Sequence, residues 1–438
     1  MNTLIEQGRV IDPASGRDEV ADIAIADGRI VSIGAAPAGF EPHRRIDARG
    51  CLVLPGLVDL SARLPQLESD MRAAAAGGVT SLVCPPDTDP VLDEPGLVEM
   101  LITRAERLHM ARVLPQGALT RALKGEALTE MVRLTEAGCV AFGQADVPLV
   151  NTLALHRAMQ YAAPFGYAIW LRPQDAWLGN GVAASGALAT RMGLASVPVA
   201  AETIALHTIF ELMRAVRGAH DAGPRVHICR LSSAAGVGML RQAKAEGLQV
   251  TADVSINNLL LTDEGAMWNF DSRARLRPPL RQAPDREALQ QALADGTLDA
   301  LVSDHTPVGG DAKHLPFADA EPGAVGLELL LPLALQWAGE DAARQRRALA
   351  CITSGAADVL GSALGAELHG SCGRLHEGAL ADVCVFDPDA RWTVGADTLH
   401  SRGTNTPFEG AELRGRVRCT FTGGHLAWDA DGRKGQGA

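Results

Sequence analysis

Several apolar, strand-like runs end in residues able to do chemistry: Ser61-Ala62-Arg63, Arg172, Arg230 and Asp304. A guanidinium stays protonated and has no lone pair to give a cation. Arginines 63, 172 and 230 in one mouth would therefore repel a divalent ion, by roughly 4 kcal/mol per close pair of charges at moderate dielectric. The use expected of them is pairing with Asp304, Asp59 or Asp146, which would fill the cavity. Holding a small anion is the rival use. Ser303-Asp304-His305 contains the residue types of a hydrolytic triad, but neighbours on a strand point to opposite sides, so no triad is expected. His207, His227 and His305 read as core or supporting residues, and Asp87-Thr-Asp-Pro as a turn with a helix cap.

These residues are positioned by alternating strands and helices. Strand signals fall at 52–60, 79–84, 111–117, 139–142, 167–171, 225–229, 248–254 and 299–303. Helical signals fall at 68–77, 94–109, 126–137, 151–163, 202–218, 234–246, 285–293 and 326–338. Eight β/α pairs in order predict a closed parallel barrel. An open doubly wound sheet is the competing reading, but no Gly-x-Gly-x-x-Gly follows the first strand. Longer connections at 172–201 and 255–283 fall on the face where barrel enzymes place their chemistry. Alternating β-rich runs at both ends, Ile5 to Asp12 and Ala21 to Ile33 early, Ala381 to Asp387 and Arg416 to Trp428 late, predict one small β domain built from both termini.

Of 438 residues, 47% are hydrophobic and 21% charged, with a net charge of -12. That balance suits a globular chain and argues against nucleic acid or an anionic membrane as partner. No signal peptide is expected, since charges precede any apolar stretch, and the apolar run from Val325 to Ala338 is too short to span a bilayer. Eight scattered cysteines without a C-x-x-C predict buried, reduced thiols in a cytoplasmic protein.

Leu54-Pro-Gly-Leu-Val-Asp-Leu-Ser-Ala-Arg-Leu, Ala73-Ala-Ala-Ala-Gly-Gly-Val-Thr-Ser-Leu-Val-Cys-Pro-Pro-Asp, His227-Ile-Cys-Arg-Leu-Ser-Ser-Ala, Leu276-Arg-Pro-Pro-Leu-Arg, Ser303-Asp-His-Thr-Pro and Asn405-Thr-Pro-Phe occur in that order. Together they resemble the dihydroorotase-type proteins of the amidohydrolase superfamily over nearly the whole chain. The resemblance implies a (β/α)8 barrel of the metal-dependent amidohydrolase type with a small β-sandwich domain, divided as 1–53, 54–365 and 366–438. In active relatives, metal-bound water and a strand-eight aspartate interconvert carbamoyl aspartate and dihydroorotate.

Carried over by position, the first-strand histidine ligands fall on Ser61 and Arg63, the strand-five histidine on Arg172 and the strand-six histidine on Arg230. The bridging ligand falls near Gly143-Gln144, away from the four lysines (124, 244, 313, 434), and Asp146 would substitute only after a loop rearrangement. Substrate contacts fall on Pro65, Asp87 and Val308, and a further histidine pair on Asn257-Asn258. Asp304 alone is retained, as a vestigial catalytic position. The resemblance thus implies no metal and no other cofactor, and a non-catalytic dihydroorotase-like subunit. Such a subunit would be oligomeric and act as scaffold for aspartate carbamoyltransferase in pyrimidine biosynthesis. Two alternatives stand beside it: an active cyclic amidohydrolase with an atypical zinc site, and a small-anion sensor.

Overall fold

The computed structural model describes residues 2–218 and 223–432. Eight parallel strands follow in chain order: Leu57–Asp59, Val79–Cys84, Arg112–Ala118, Ala141–Gly143, Ala168–Leu171, Arg225–Ile228, Val250–Ser255 and Ala300–Val302. Each pairs with its sequence neighbour. The first and last meet through a parallel bridge between Ala62 and His305, where His305 N donates to Ser61 O at 3.2 Å and Arg63 N to His305 O at 2.8 Å. The sheet is therefore a nearly closed barrel. Its strands are covered on both faces, so all six residues of Val79–Cys84 are buried, Thr80 and Ser81 included.

The outer helices follow the predicted order, most with shorter bounds, though Val199–Arg217 and Ala283–Ala294 are longer than expected. The third covers only Met131–Glu136, since Thr129 Oγ1 donates to Ala118 O at 2.6 Å and ties the preceding segment to the strand-three loop. The eighth begins at Leu330 rather than 326. Two further helices, Ala342–Cys351 and Ser354–Leu360, were not anticipated. Ala356, Ala357 and Leu360 pack with Val58, Val140 and Ala300 near the strand starts and floor the barrel. Ala342–His369 is long and apolar enough to cross a membrane by composition, yet 61% of its most apolar window is buried inside the protein. It is also broken into several short helices.

The terminal strands form one mainly antiparallel sheet in which Leu52–Pro55 pairs with both Thr3–Asp12 and Val383–Thr393. It encloses its own core, including Ile5, Ile23, Val53, Val385 and Phe421. Arg112 of barrel strand three ties the two parts together, donating to both oxygens of Asp382 at 2.5 and 3.0 Å. Gly78, at φ +83°, lets barrel strand two pass the small sheet; a Cβ there would lie 2.6 Å from Cys384 Sγ. The long segments after strands five, seven and eight meet in a cluster that includes Ala183, Leu188, Met267, Leu280 and Phe317. Every cysteine is unpaired, and all but the half-buried Cys229 are buried. Lys434 lies outside the described residues.

Candidate functional site

At the carboxyl ends of the strands, arginines 63, 172 and 230 converge on Asp146. Asp146 Oδ1 lies 2.6 Å from Arg230 Nη2 and 2.6 Å from Arg172 Nε, and its Oδ2 lies 2.9 Å from Arg63 Nη2. The Arg172 contact is ionic rather than a directed hydrogen bond; the hydrogen bonds of that side chain go from Nη2 to Asp146 O at 3.0 Å and from Nη1 to Gln174 Oε1. Arg230 Nη1 reaches Asp304 Oδ1 at 3.0 Å. Arg63 also donates from Nε and Nη2 to Asp87 Oδ2, at 3.0 and 2.9 Å, and from Nη1 to Thr306 Oγ1 at 3.1 Å. Three guanidinium groups thus face three carboxylates, Asp87, Asp146 and Asp304.

Ala145 brings Asp146 into place. At φ 49° it turns the chain back directly after strand four, so an acid offset by a few residues reaches the centre of the mouth. Arg230 and Asp304 are also left-handed, at φ 54° and 51°, which turns their side chains across the barrel end instead of along it. Asp253 fixes Arg230 from behind: its Oδ1 accepts from Arg230 N at 2.7 Å, and its Oδ2 sits 2.8 Å from His227 Nε2.

The electrostatics follow the geometry. Burial pushes the Asp146 carboxyl up, but Arg230, Arg63, Arg172 and Arg277 together hold it well below the usual carboxylate range. Burial opposes the charge on Arg230, and Asp146 with Asp304 overcomes it and raises its pKa. Asp304 goes the other way. Its burial outweighs the pull of Arg230 and Arg63, and its pKa lies above the ordinary value.

Several expectations need correction. Asp59 pairs with none of the arginines; it accepts from Ser303 N at 3.1 Å and from Ser303 Oγ, and burial pushes its carboxyl up to about 7. Asp87 caps no helix: the following helix, Pro95–Glu106, has Glu94 at its N-cap, and the charge of Asp87 is spent on Arg63. His207 is exposed on the helix Val199–Arg217, so it is no core residue. Asp146 joins the mouth, which the sequence admitted only with a loop rearrangement.

The remaining positions fall as follows. Gln144 is buried with Oε1 accepting from Thr120 N and Oγ1 at 3.1 and 2.8 Å, so its amide serves the strand-three loop. Ser61 is buried beside the barrel seam, Pro65 is exposed, and Val308 is buried with its N–H donating to Asn405 Oδ1 at 3.0 Å. Asn257 and Asn258 are buried; their side-chain amides bond Ser255 Oγ at 3.3 Å and Pro279 O at 3.2 Å. Ser303, Asp304 and His305 take separate partners: Asp59, Arg230, and for His305 Nδ1 the Gly326 N–H at 3.2 Å.

These residues do not fit the divalent metal of a dihydroorotase. Zinc takes neutral or anionic N, O or S donors, and guanidinium groups occupy the ground where such donors would stand. Among the described residues, His227, Cys229 and Asp253 bring donor atoms within 4.8 Å of one another. They are committed elsewhere: His227 bonds Thr251 Oγ1 at 2.8 Å as well as Asp253, and burial raises the Cys229 thiol far above its ordinary pKa.

A barrel of this kind, sealed by a sheet from both termini, is that of the amidohydrolases. The L-hydantoinase of Arthrobacter aurescens superposes on it with a TM-score of 0.82 at 24% identity, over 98% of this chain and 96% of that one. The chain belongs to the dihydroorotase-like family. Residues 50–235 match the family described as dihydro-orotase-like. Over 97% of its length the chain is 43% identical to 99% of a dihydroorotase-like protein of Pseudomonas aeruginosa. Over 98% of its length it is 38% identical to 99% of a dihydroorotase of Syntrophotalea carbinolica.

Proposed function

We propose that this chain is a catalytically inactive dihydroorotase homologue that serves as scaffold for aspartate carbamoyltransferase in de novo pyrimidine biosynthesis. One observation carries the reading: arginines 63, 172 and 230 pair with Asp146 and Asp304 where an active relative needs metal donors. Hydrolysis of a cyclic amide needs an activated water, a base and substrate grips together. Here the ground for the metal is taken by cations, Asp304 is held by Arg230, and Pro65 and Val308 offer no side-chain polar group. The barrel around them keeps a buried, contiguous core, so the folded object is what persists.

The alternative is an active dihydroorotase with an atypical zinc site. It draws on the 38% identity to proteins named dihydroorotase and on the clustered donors of His227, Cys229 and Asp253. A small-anion sensor at the mouth is disfavoured because each of its three arginines already holds a carboxylate.

Co-expression with aspartate carbamoyltransferase tests the scaffold. A single high-mass species is expected, with transcarbamoylase activity lowered when this chain is deleted. Separate migration at micromolar concentration, with full transcarbamoylase activity alone, would overturn the reading.

A further inference from the structure

The mouth arginines are spent, but another set is not. Arg72 on the helix Leu67–Ala76, Arg104 on Pro95–Glu106 and Arg402 after the last barrel segment line one groove of about 440 Å³ together with His400, Gln66 and Ser69. All three arginines are exposed. Their guanidinium groups make no hydrogen bond or ion pair among the described residues, although Glu68 lines the same groove. In a chain of net charge -12 this is a local inversion of sign.

The groove is held in shape from behind. Both oxygens of the half-buried Glu328 accept from His400 N, at 3.0 and 2.9 Å, and Oε2 also accepts from Ser401 N at 3.3 Å. Ser401 Oγ donates to Asp70 Oδ1 at 3.2 Å. The segment carrying His400 and Arg402 is thereby tied to the barrel, while Arg72 and Arg104 ride on helices. Arg72 faces His400: burial lowers the imidazole pKa first, and Arg416 and Arg72 lower it further.

A second cavity of about 420 Å³ adjoins the groove and shares Pro65, Leu67 and Arg104 with it. Its walls are apolar, chiefly Pro85, Pro90, Leu92, Leu97, Met100 and Leu101. Arg63 and Asp87 also line it as an ion pair, and Asp87 Oδ1 is buried without a partner. The pair of cavities therefore joins a largely apolar compartment to a basic groove.

We propose that the paired cavities bind a small phosphate ester with an apolar body, its phosphate among Arg72, Arg104 and Arg402 and its body against Leu92, Leu97 and Met100. Guanidinium forks match phosphate oxygens in both geometry and charge. The apolar compartment falls in the usual size range of small-ligand pockets. The phosphate end, at Arg72, Arg104 and Arg402, stands apart from the arginine-filled mouth, which the apolar compartment borders at Arg63 and Asp87; binding there does not rest on a scaffold role.

Two probes on the full chain test it. Pyrophosphate, titrated calorimetrically at low salt, should bind once per chain. Each of Arg72→Ala, Arg104→Ala and Arg402→Ala should weaken it about tenfold, the scale of one charge-assisted hydrogen bond. 8-Anilinonaphthalene-1-sulfonate, an aryl anion, should bind the wild type saturably and be displaced by pyrophosphate. Met100→Trp, which fills the apolar compartment, should weaken the aryl probe and spare pyrophosphate. The substituted arginines are exposed, so unchanged circular dichroism is expected in each variant. Absence of pyrophosphate binding at millimolar concentration, or binding that survives the triple arginine substitution, would overturn the proposal.

Discussion

Arg230 holds Asp304 at 3.0 Å with one amino group while the other reaches Asp146 at 2.6 Å. Asp304 is thus one end of a chain of charges, and Asp146 is its centre. Asp146 is held far below its ordinary pKa, whereas Asp304 lies above its own. The two acids are therefore not equivalent to the fold.

Asp146→Asn should cost about 3–5 kcal/mol, because it strands buried guanidinium groups without their counter-charge. Asp304→Asn should cost less than about 2 kcal/mol, since Arg230 keeps Asp146 and the buried Asp304 charge is itself disfavoured. Denaturant unfolding of both variants measures the order. A larger loss for Asp304→Asn would remove Asp146 from the centre.

Protein purified without chelator should carry no stoichiometric zinc and show no dihydroorotase activity. Elemental analysis beside an assay in both directions checks this. About one zinc per chain, removable with loss of activity, would establish the active-enzyme alternative.

Restoring histidines by Ser61→His with Arg63→His should give no turnover and a less stable protein. The substitution frees Asp87 and Asp146 of a shared partner, and it leaves guanidinium groups, which donate no lone pair, at Arg172 and Arg230. Dihydroorotate formation by the double variant would show a more complete site than the geometry supports.

Glu328 supplies a pH signature. Burial raises its carboxyl from 4.5 to about 7, against hydrogen bonds from His400 and Ser401. A raised carboxylate pKa means that the folded state holds the proton more tightly than the unfolded chain. Its contribution to stability is therefore full below 4.5 and is lost as pH rises to about 7. Glu328→Gln should flatten the fall in stability across that window, as read by unfolding at stepped pH. An unchanged slope would show the carboxyl to be ionised throughout.

The barrel was legible because each strand is an apolar run bounded by glycine, proline or acid, and burial on both faces demands that pattern. The helices Ala342–Cys351 and Ser354–Leu360 escaped notice because they lie beyond the eighth β/α pair, where the repeat supplies no further expectation. The three arginines could be placed at strand ends by position alone. Their partners could not. Asp146 depends on a left-handed turn at Ala145, and alanine gives no turn signal of the kind glycine or asparagine would. Asp253, which holds both Arg230 N and His227, lies inside an apolar strand run, and nothing in its neighbours distinguishes it.

The charge chain at the mouth also bears on what substitution there can do. Each arginine is balanced by an acid that is itself shared, so no single replacement toward a ligand set leaves the remaining charges matched. A replacement of any one of them leaves a buried charge to be compensated from a different strand. The mouth works as a combination lock: its ion pairs release together or hardly at all.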